Sequence, residues 1–116
     1  MQIPLALMKR HEQTVALLGD GKDASMRVFG NSMVPLIRTK SVVTYRATDD
    51  YQVGDVVFVK IGRSYLTHKV TKTDAKGRYM IANNKGRENG WAGTIYGRVI
   101  AVDGEPFGRP TEDTGV

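Results

Sequence analysis

Ser32 lies in the turn-forming stretch Val28-Phe29-Gly30-Asn31-Ser32-Met33-Val34-Pro35, and His68 sits in the strand-like run Leu66-Thr67-His68-Lys69-Val70. A serine hydroxyl is a weak nucleophile at neutral pH and attacks a carbonyl only when a neighbouring base takes its proton. Imidazole is substantially neutral at physiological pH and can be that base. The chain has two histidines, and the other, His11, falls in a helix-like segment near the N-terminus. Ser32 and His68 are therefore the candidate nucleophile and general base of a serine hydrolase. Both also have ordinary readings. Serine after Gly-Asn suits a turn, and a histidine on a strand is commonly a solvated or hydrogen-bonded side chain. Spacing alone does not choose between these.

The neighbours of Ser32 fit the chemistry. Gly30 can take dihedrals closed to other residues, and its missing side chain lets an extended backbone approach the hydroxyl. The Ser32 N–H, helped by the Met33 N–H or the Asn31 side chain, is the candidate donor to a developing oxyanion. Met33 itself reads as a core plug, and Pro35 stiffens the exit from the turn. Lys69 competes with His68 for the role of base, but adjacent strand side chains point to opposite faces, so only one of the two can meet Ser32.

The run Gly30-Asn31-Ser32-Met33-Val34-Pro35 resembles the Gly-x-Ser-Met-x-Pro nucleophile box of the clan that holds the signal peptidases and the SOS-repressor (LexA-like) autopeptidases. Three further blocks follow in that clan's order. Val53-Gly54-Asp55-Val56-Val57 is similar to its Val-Gly-Asp-Val-Val block. Thr67-His68-Lys69-Val70 is similar to the His-Arg-Val of its histidine-using branch, and Ile95-Tyr96-Gly97-Arg98-Val99-Ile100 to its closing Ile-x-Gly-Arg-Val-Val strand. The resemblance implies a bent β-sheet or barrel-like domain and hydrolysis of a peptide bond through an acyl-enzyme. The substrate would be a protein or peptide bound in extended form, with small residues at the cleaved position. It favours His68 over Lys69. It also implies an acid behind the imidazole, from a Gly-Asp-x-Asn block, and here the chain departs: the corresponding stretch is Ala82-Asn83-Asn84-Lys85-Gly86-Arg87-Glu88-Asn89-Gly90. Asn83 stands where the acid is expected, and Glu88 could supply a carboxylate if the loop folds back. An amide can hold an imidazole tautomer but cannot stabilise imidazolium by charge. The alternative is an inactive binding module or regulator on the same scaffold. Lys40-Ser41 departs from the clan's usual Gly-Asp turn. Self-cleavage near Ala24-Ser25 would need poor reach, since few residues separate it from Ser32.

The elements that must position these groups belong to one domain of 116 residues and 12.8 kDa. Apolar residues at 41% and charged residues at 25% describe an ordinary globular chain. No apolar run approaches the ~20 residues of a membrane helix, so no membrane anchor is expected. Ile3 to Met8 lacks the cationic lead of a secretory signal. The chain has no cysteine, which fits a reducing, cytoplasmic location. A net charge of +5 leaves open an acidic partner, either a protein surface or a nucleic acid. The cations are scattered, however, and no nucleic-acid-binding motif is legible. No cofactor is implied. Asp49-Asp50 has no metal-ligand spacing, and Gly19-Asp20-Gly21-Lys22 lacks that of a phosphate-binding loop.

The pattern predicts a mainly β fold with a short N-terminal helix. Residues 1–22 form a helical arm and linker, with the helix at 4–18, Pro4 in its first turn and Gly19 as a stop. Residues 23–103 form the body, with strands at 25–29, 41–46, 56–61, 65–71, 78–82 and 94–102 separated by turn residues. A hairpin over 60–65 should bring His68 back beside the strand containing Val57. Trp91 reads as a hydrophobic cap on the sheet, in a loop or strand start. Residues 104–116 have the composition of a loose terminus.

Overall fold

The computed structural model of the chain describes residues 8–110. Helix α1 runs Arg10–Gly19 after an extended Lys9. The part of the expected helix before Met8 lies outside the described residues. His11, Thr14, Val15 and Leu18 recur at helical spacing and face the body; Thr14 and Leu18 are buried, and Val15 packs against the same core. The Thr14 hydroxyl is satisfied by donating to the Arg10 carbonyl at 3.0 Å. The stop lies two residues beyond the expected Gly19. Gly21 adopts φ 77°, and Gly21 and Lys22 donate back to Leu18 and Leu17, a glycine-terminated cap that uses the last carbonyls.

Eight antiparallel strands follow: β1 (Ala24–Arg27), β2 (Val42–Arg46), β3 (Val56–Ile61), β4 (Ser64–Thr73), β5 (Tyr79–Ala82), β6 (Glu88–Ala92), β7 (Ile95–Val102) and β8 (Glu105–Pro106). They form one sheet in the order β1-β2-β7-β3-β4-β5-β6, with β8 beside the far end of β7. The ends do not join, so the fold is a bent open sheet and not a closed barrel. Register slips at Thr44/Tyr45, Phe58/Val59, Val70/Lys72 and Ile81/Ala82 bend and twist the strands.

Bending covers both faces of β3. Its alternate residues enter different cores: Val56 and Phe58 join Tyr45, Met26 and Leu18, while Val57 and Val59 join Val70 and Ile81. The β3–β4 hairpin closes at Ile61 and Ser64 and sets Val57 opposite His68, the juxtaposition expected from its turn. Two elements were not anticipated. β6 pairs along β5, which places Asn89 to Trp91 within a strand. Trp91 is on the surface with Lys72 and Arg78 over its ring.

The second is at the C-terminus. Residues 104–110, read from composition as the start of a loose tail, are docked; residues 111–116 lie outside the described residues. Glu105 and Pro106 pair with β7. Buried Arg98 donates to the Arg109 and Pro110 carbonyls, and Arg109 clasps buried Asp55 through Nε at 2.9 Å and a second nitrogen at 3.1 Å. Composition undervalued this segment because a fork–carboxylate pair is a tertiary contact between residues 54 positions apart.

Two outcomes follow from this packing. Arg109→Ala leaves the Asp55 carboxylate buried without its cation and should lower unfolding free energy by about 2 kcal/mol in urea denaturation, less than a fully enclosed pair would lose because Arg109 is partly solvated. A Cβ at Gly97 would sit 3.2 Å from the Arg46 backbone and from Leu18 Cδ1. Gly97→Ala should therefore cost about 1–3 kcal/mol by pressing on the Arg46 backbone of β2, while the Leu18 side chain can turn aside, read as a lowered thermal midpoint.

Candidate active site

The nucleophile loop spans the gap between β1 and β2. Gly30 has φ 108°, a conformation that L side chains rarely adopt, and no atom crowds its missing Cβ, so conformation and not space requires glycine there. Its N–H donates to Thr39 Oγ1 at 3.0 Å, tying the two limbs of the loop. Met33 and Ile37 are buried in the first core and anchor the loop from below, in keeping with Met33 as a plug. The Val34–Pro35 peptide is cis. Phe29, Val34 and Leu36 stay exposed and give Ser32 an apolar rim.

Asn84 fastens this loop to the β5–β6 connection. Its N–H donates to the Ser32 carbonyl at 2.9 Å, and its Nδ2 to the Val34 carbonyl at 3.0 Å. Lys69 Nζ donates to Asn84 Oδ1 at 3.3 Å. Lys69 and His68 thus diverge as neighbours on a strand must, and the imidazole is the group that reaches the serine.

Ser32 Oγ is 2.9 Å from His68 Nε2, and His68 Nδ1 is 2.7 Å from Asn89 Oδ1. The Asn89 oxygen can only accept, so Nδ1 carries the hydrogen and donates it. Nε2 is left with its lone pair and accepts from the Ser32 hydroxyl. This is the tautomer a general base needs. His68 is buried to 8% exposure, and its pKa is held below the ordinary 6.5 chiefly by burial, with the Asn89 hydrogen bond opposing. The imidazole is consequently neutral at pH 7.

The residue behind the imidazole is Asn89, where the sequence pointed to Asn83 or Glu88. Asn83 accepts from the Lys85 and Arg87 N–H groups and closes its own turn. Glu88 faces solvent and pairs with Lys72 at 3.2 Å. Asn89 is delivered by a bulge: Ala82 pairs with Glu88 and Ile81 with Gly90, which leaves Asn89 as the extra residue, beside Gly90 at φ 138°. The Asn89-Gly90 dipeptide was the one sequence signal of a backbone irregularity there. The exposed Asn31 side chain makes no hydrogen bond among the described residues.

A cavity of about 160 Å³ opens beside Ser32 and His68, walled by Met26, Phe29, Phe58 and Tyr65 and, from α1, by Arg10 and His11. His11 stacks on Tyr65 with ring centroids 5.0 Å apart, and burial followed by the Arg10 charge lowers its pKa. Tyr45 donates to or accepts from Thr67 Oγ1 at 2.7 Å, and burial pushes its phenol up to about 12, so it stays neutral. Among the described residues no cluster of three or more His, Cys, Asp or Glu could hold a metal, and no helix is long and apolar enough to cross a membrane.

No curated protein matches the chain significantly. A family model described as Peptidase S24-like matches residues 6–100. That span takes in α1, the nucleophile loop and the strands carrying His68 and Asn89, well over half the sequence, and the chain accordingly belongs to the Peptidase S24-like family.

Proposed function

We propose that the protein is a serine peptidase in which Ser32 is the nucleophile, His68 the general base and Asn89 the residue that orients the imidazole. The observation that carries this is the continuous chain Ser32 Oγ–His68–Asn89, at 2.9 and 2.7 Å, with the ring held in its basic tautomer. In the first step Ser32 Oγ bonds to the substrate carbonyl carbon while its proton passes to His68 Nε2. Collapse breaks the C–N bond as His68 returns that proton to the leaving amine. Water then attacks the acyl-enzyme, again through His68, releasing the carboxylic acid and restoring the Ser32 hydroxyl.

The Ser32 and Met33 N–H groups donate to no acceptor among the described residues, and in this reading they stabilise the oxyanion. An extended protein or peptide substrate adds as a strand beside β1, which pairs with β2 only. The cysteine-free composition fits action in the cytoplasm.

A binding module on the same scaffold is favoured by one observation: Asn89 brings no negative charge to stabilise imidazolium. Labelling by a fluorophosphonate separates the two. Wild type should react at Ser32, and Ser32→Ala and His68→Ala should abolish labelling. Well-folded wild type that remains unlabelled would favour the module.

The pH dependence has a definite sign. Because burial lowers the His68 pKa, the acid limb of kcat/KM should lie below pH 6.5. Stability should follow the same direction. As pH falls below 6.5 the unfolded chain takes up the proton first, so folding free energy is lost through the window beneath 6.5 down to the folded-state pKa. Nitrogen-detected NMR of the imidazole and denaturation across pH check both. Asn89→Asp should raise the His68 pKa and move the acid limb upward, and increase kcat by about tenfold through charge stabilisation of imidazolium. Asn89→Ala should lower kcat with little change in KM.

A further inference from the structure

Arg10 enters the groove from α1 and holds a position that an extended ligand would use. Val28 turns both its N–H and its C=O toward β2, to the Ser41 carbonyl and the Lys40 N–H. By the alternation of an antiparallel ladder, the preceding Arg27 presents its C=O to the opposite, open side of β1. The Arg10 guanidinium donates to that carbonyl. It also lies over the Phe29 ring, 5.2 Å from the centroid. The free edge acceptor nearest the nucleophile loop is thus taken by a cation.

That cation has no carboxylate partner among the described residues. Among the described residues it is also the one permanently charged side chain on the cavity wall, and that wall carries no acid. His11 beside it is kept neutral at pH 7 by burial and by Arg10 itself. Phe58 and Tyr65 stack around the His11 ring, and the wall beyond them mixes apolar side chains with the polar Ser32, Thr67 and His68. A guanidinium with one N–H held by a carbonyl and one face covered by a ring presents its remaining N–H groups to a carboxylate.

We propose that Arg10 determines ligand specificity in this groove, selecting an extended peptide that carries an Asp or Glu side chain a few residues from the scissile bond, on the β1 side of the cavity. The proposal deepens the peptidase reading by naming its substrate class, and rests on that reading for the word scissile. The peptide runs alongside β1 with the Arg27 carbonyl left to Arg10, its acidic side chain pairs with the remaining Arg10 N–H groups, and its apolar neighbours meet Phe29 and the cavity wall.

The test uses the full chain with peptide pools that carry Glu, Gln or Lys at each successive position. Cleavage is measured on wild type and binding by anisotropy on Ser32→Ala. One position should prefer Glu over Gln by roughly fivefold, the size of a partly solvated ion pair. Arg10→Glu should reverse that preference to Lys, whereas Arg63→Glu, the same charge change on the exposed β3–β4 turn, should keep it. Circular dichroism confirms that the variants fold. A Glu preference that is absent, or that survives Arg10→Glu, overturns the proposal. Lack of fluorophosphonate labelling with Arg10-dependent binding of acidic peptides intact defeats the peptidase reading alone and leaves Arg10 as the selector of a binding groove.

Discussion

The hydrogen bond between the Ser32 hydroxyl and His68 Nε2 joins a loop to a strand 36 residues later, and much of the surrounding structure serves to hold its two ends still. On one side, Met33 and Ile37 plug the loop into the first core, and Asn84 grips it by two carbonyls. On the other, β4 is hydrogen-bonded to β3, whose two faces are both buried. A strand enclosed in that way cannot slip by one residue without sending Val57 and Val59 into the first core and Phe58 into the second. The register of β3 therefore fixes the face from which His68 projects.

Burial of the imidazole has two consequences that oppose each other. It removes water that would compete for Nε2 and keeps the ring neutral, which suits a base at pH 7. It also makes the protonated ring costly, and the one group placed to relieve that cost is an amide. A carboxylate in that position would stabilise imidazolium by charge; Asn89 fixes the tautomer through its oxygen and offers only a dipole. The site is thus well organised for taking a proton and modestly equipped for keeping it.

The groove is asymmetric in the same economical sense. Its wall combines aromatic and apolar side chains with Ser32, Thr67 and His68, and Phe29, Val34 and Leu36 of the nucleophile loop are exposed. Arg10, brought by a helix outside the sheet, donates to the Arg27 carbonyl on the outer side of β1. Sheet and helix supply different things: the sheet, with the nucleophile loop it carries, holds Ser32, His68 and Asn89 in line, and α1 brings Arg10 and His11 to the cavity wall.

The residue types were legible in the sequence for local reasons. Gly30 before Ser32 announces a special backbone conformation, runs rich in β-branched and aromatic residues mark β3 and β7, and the Gly62-Arg63 turn fixes which residue of β4 faces Val57. The clan-like blocks carried the family, which the family match supports. The helix stop and residues 104–110 differ from the expectation because the cap at Gly21 and the clasp of Arg109 on Asp55 are set by particular hydrogen bonds, not by composition.

Asn89 shows where sequence reading stops. Asn83, Asn84 and Asn89 are chemically identical, and the resemblance to the clan's acid block favoured the first. A bulge opposite Ile81 and Ala82 turned the third toward His68, while Asn83 was consumed by its own turn and Asn84 by the nucleophile loop. What the chain alone determined was a serine, an imidazole and the strands to carry them, because those follow from side-chain chemistry and short-range periodicity. Which amide stands behind the imidazole, and which cation reaches the groove, only the folded structure decided, because cross-strand register and helix docking depend on pairings far apart along the chain.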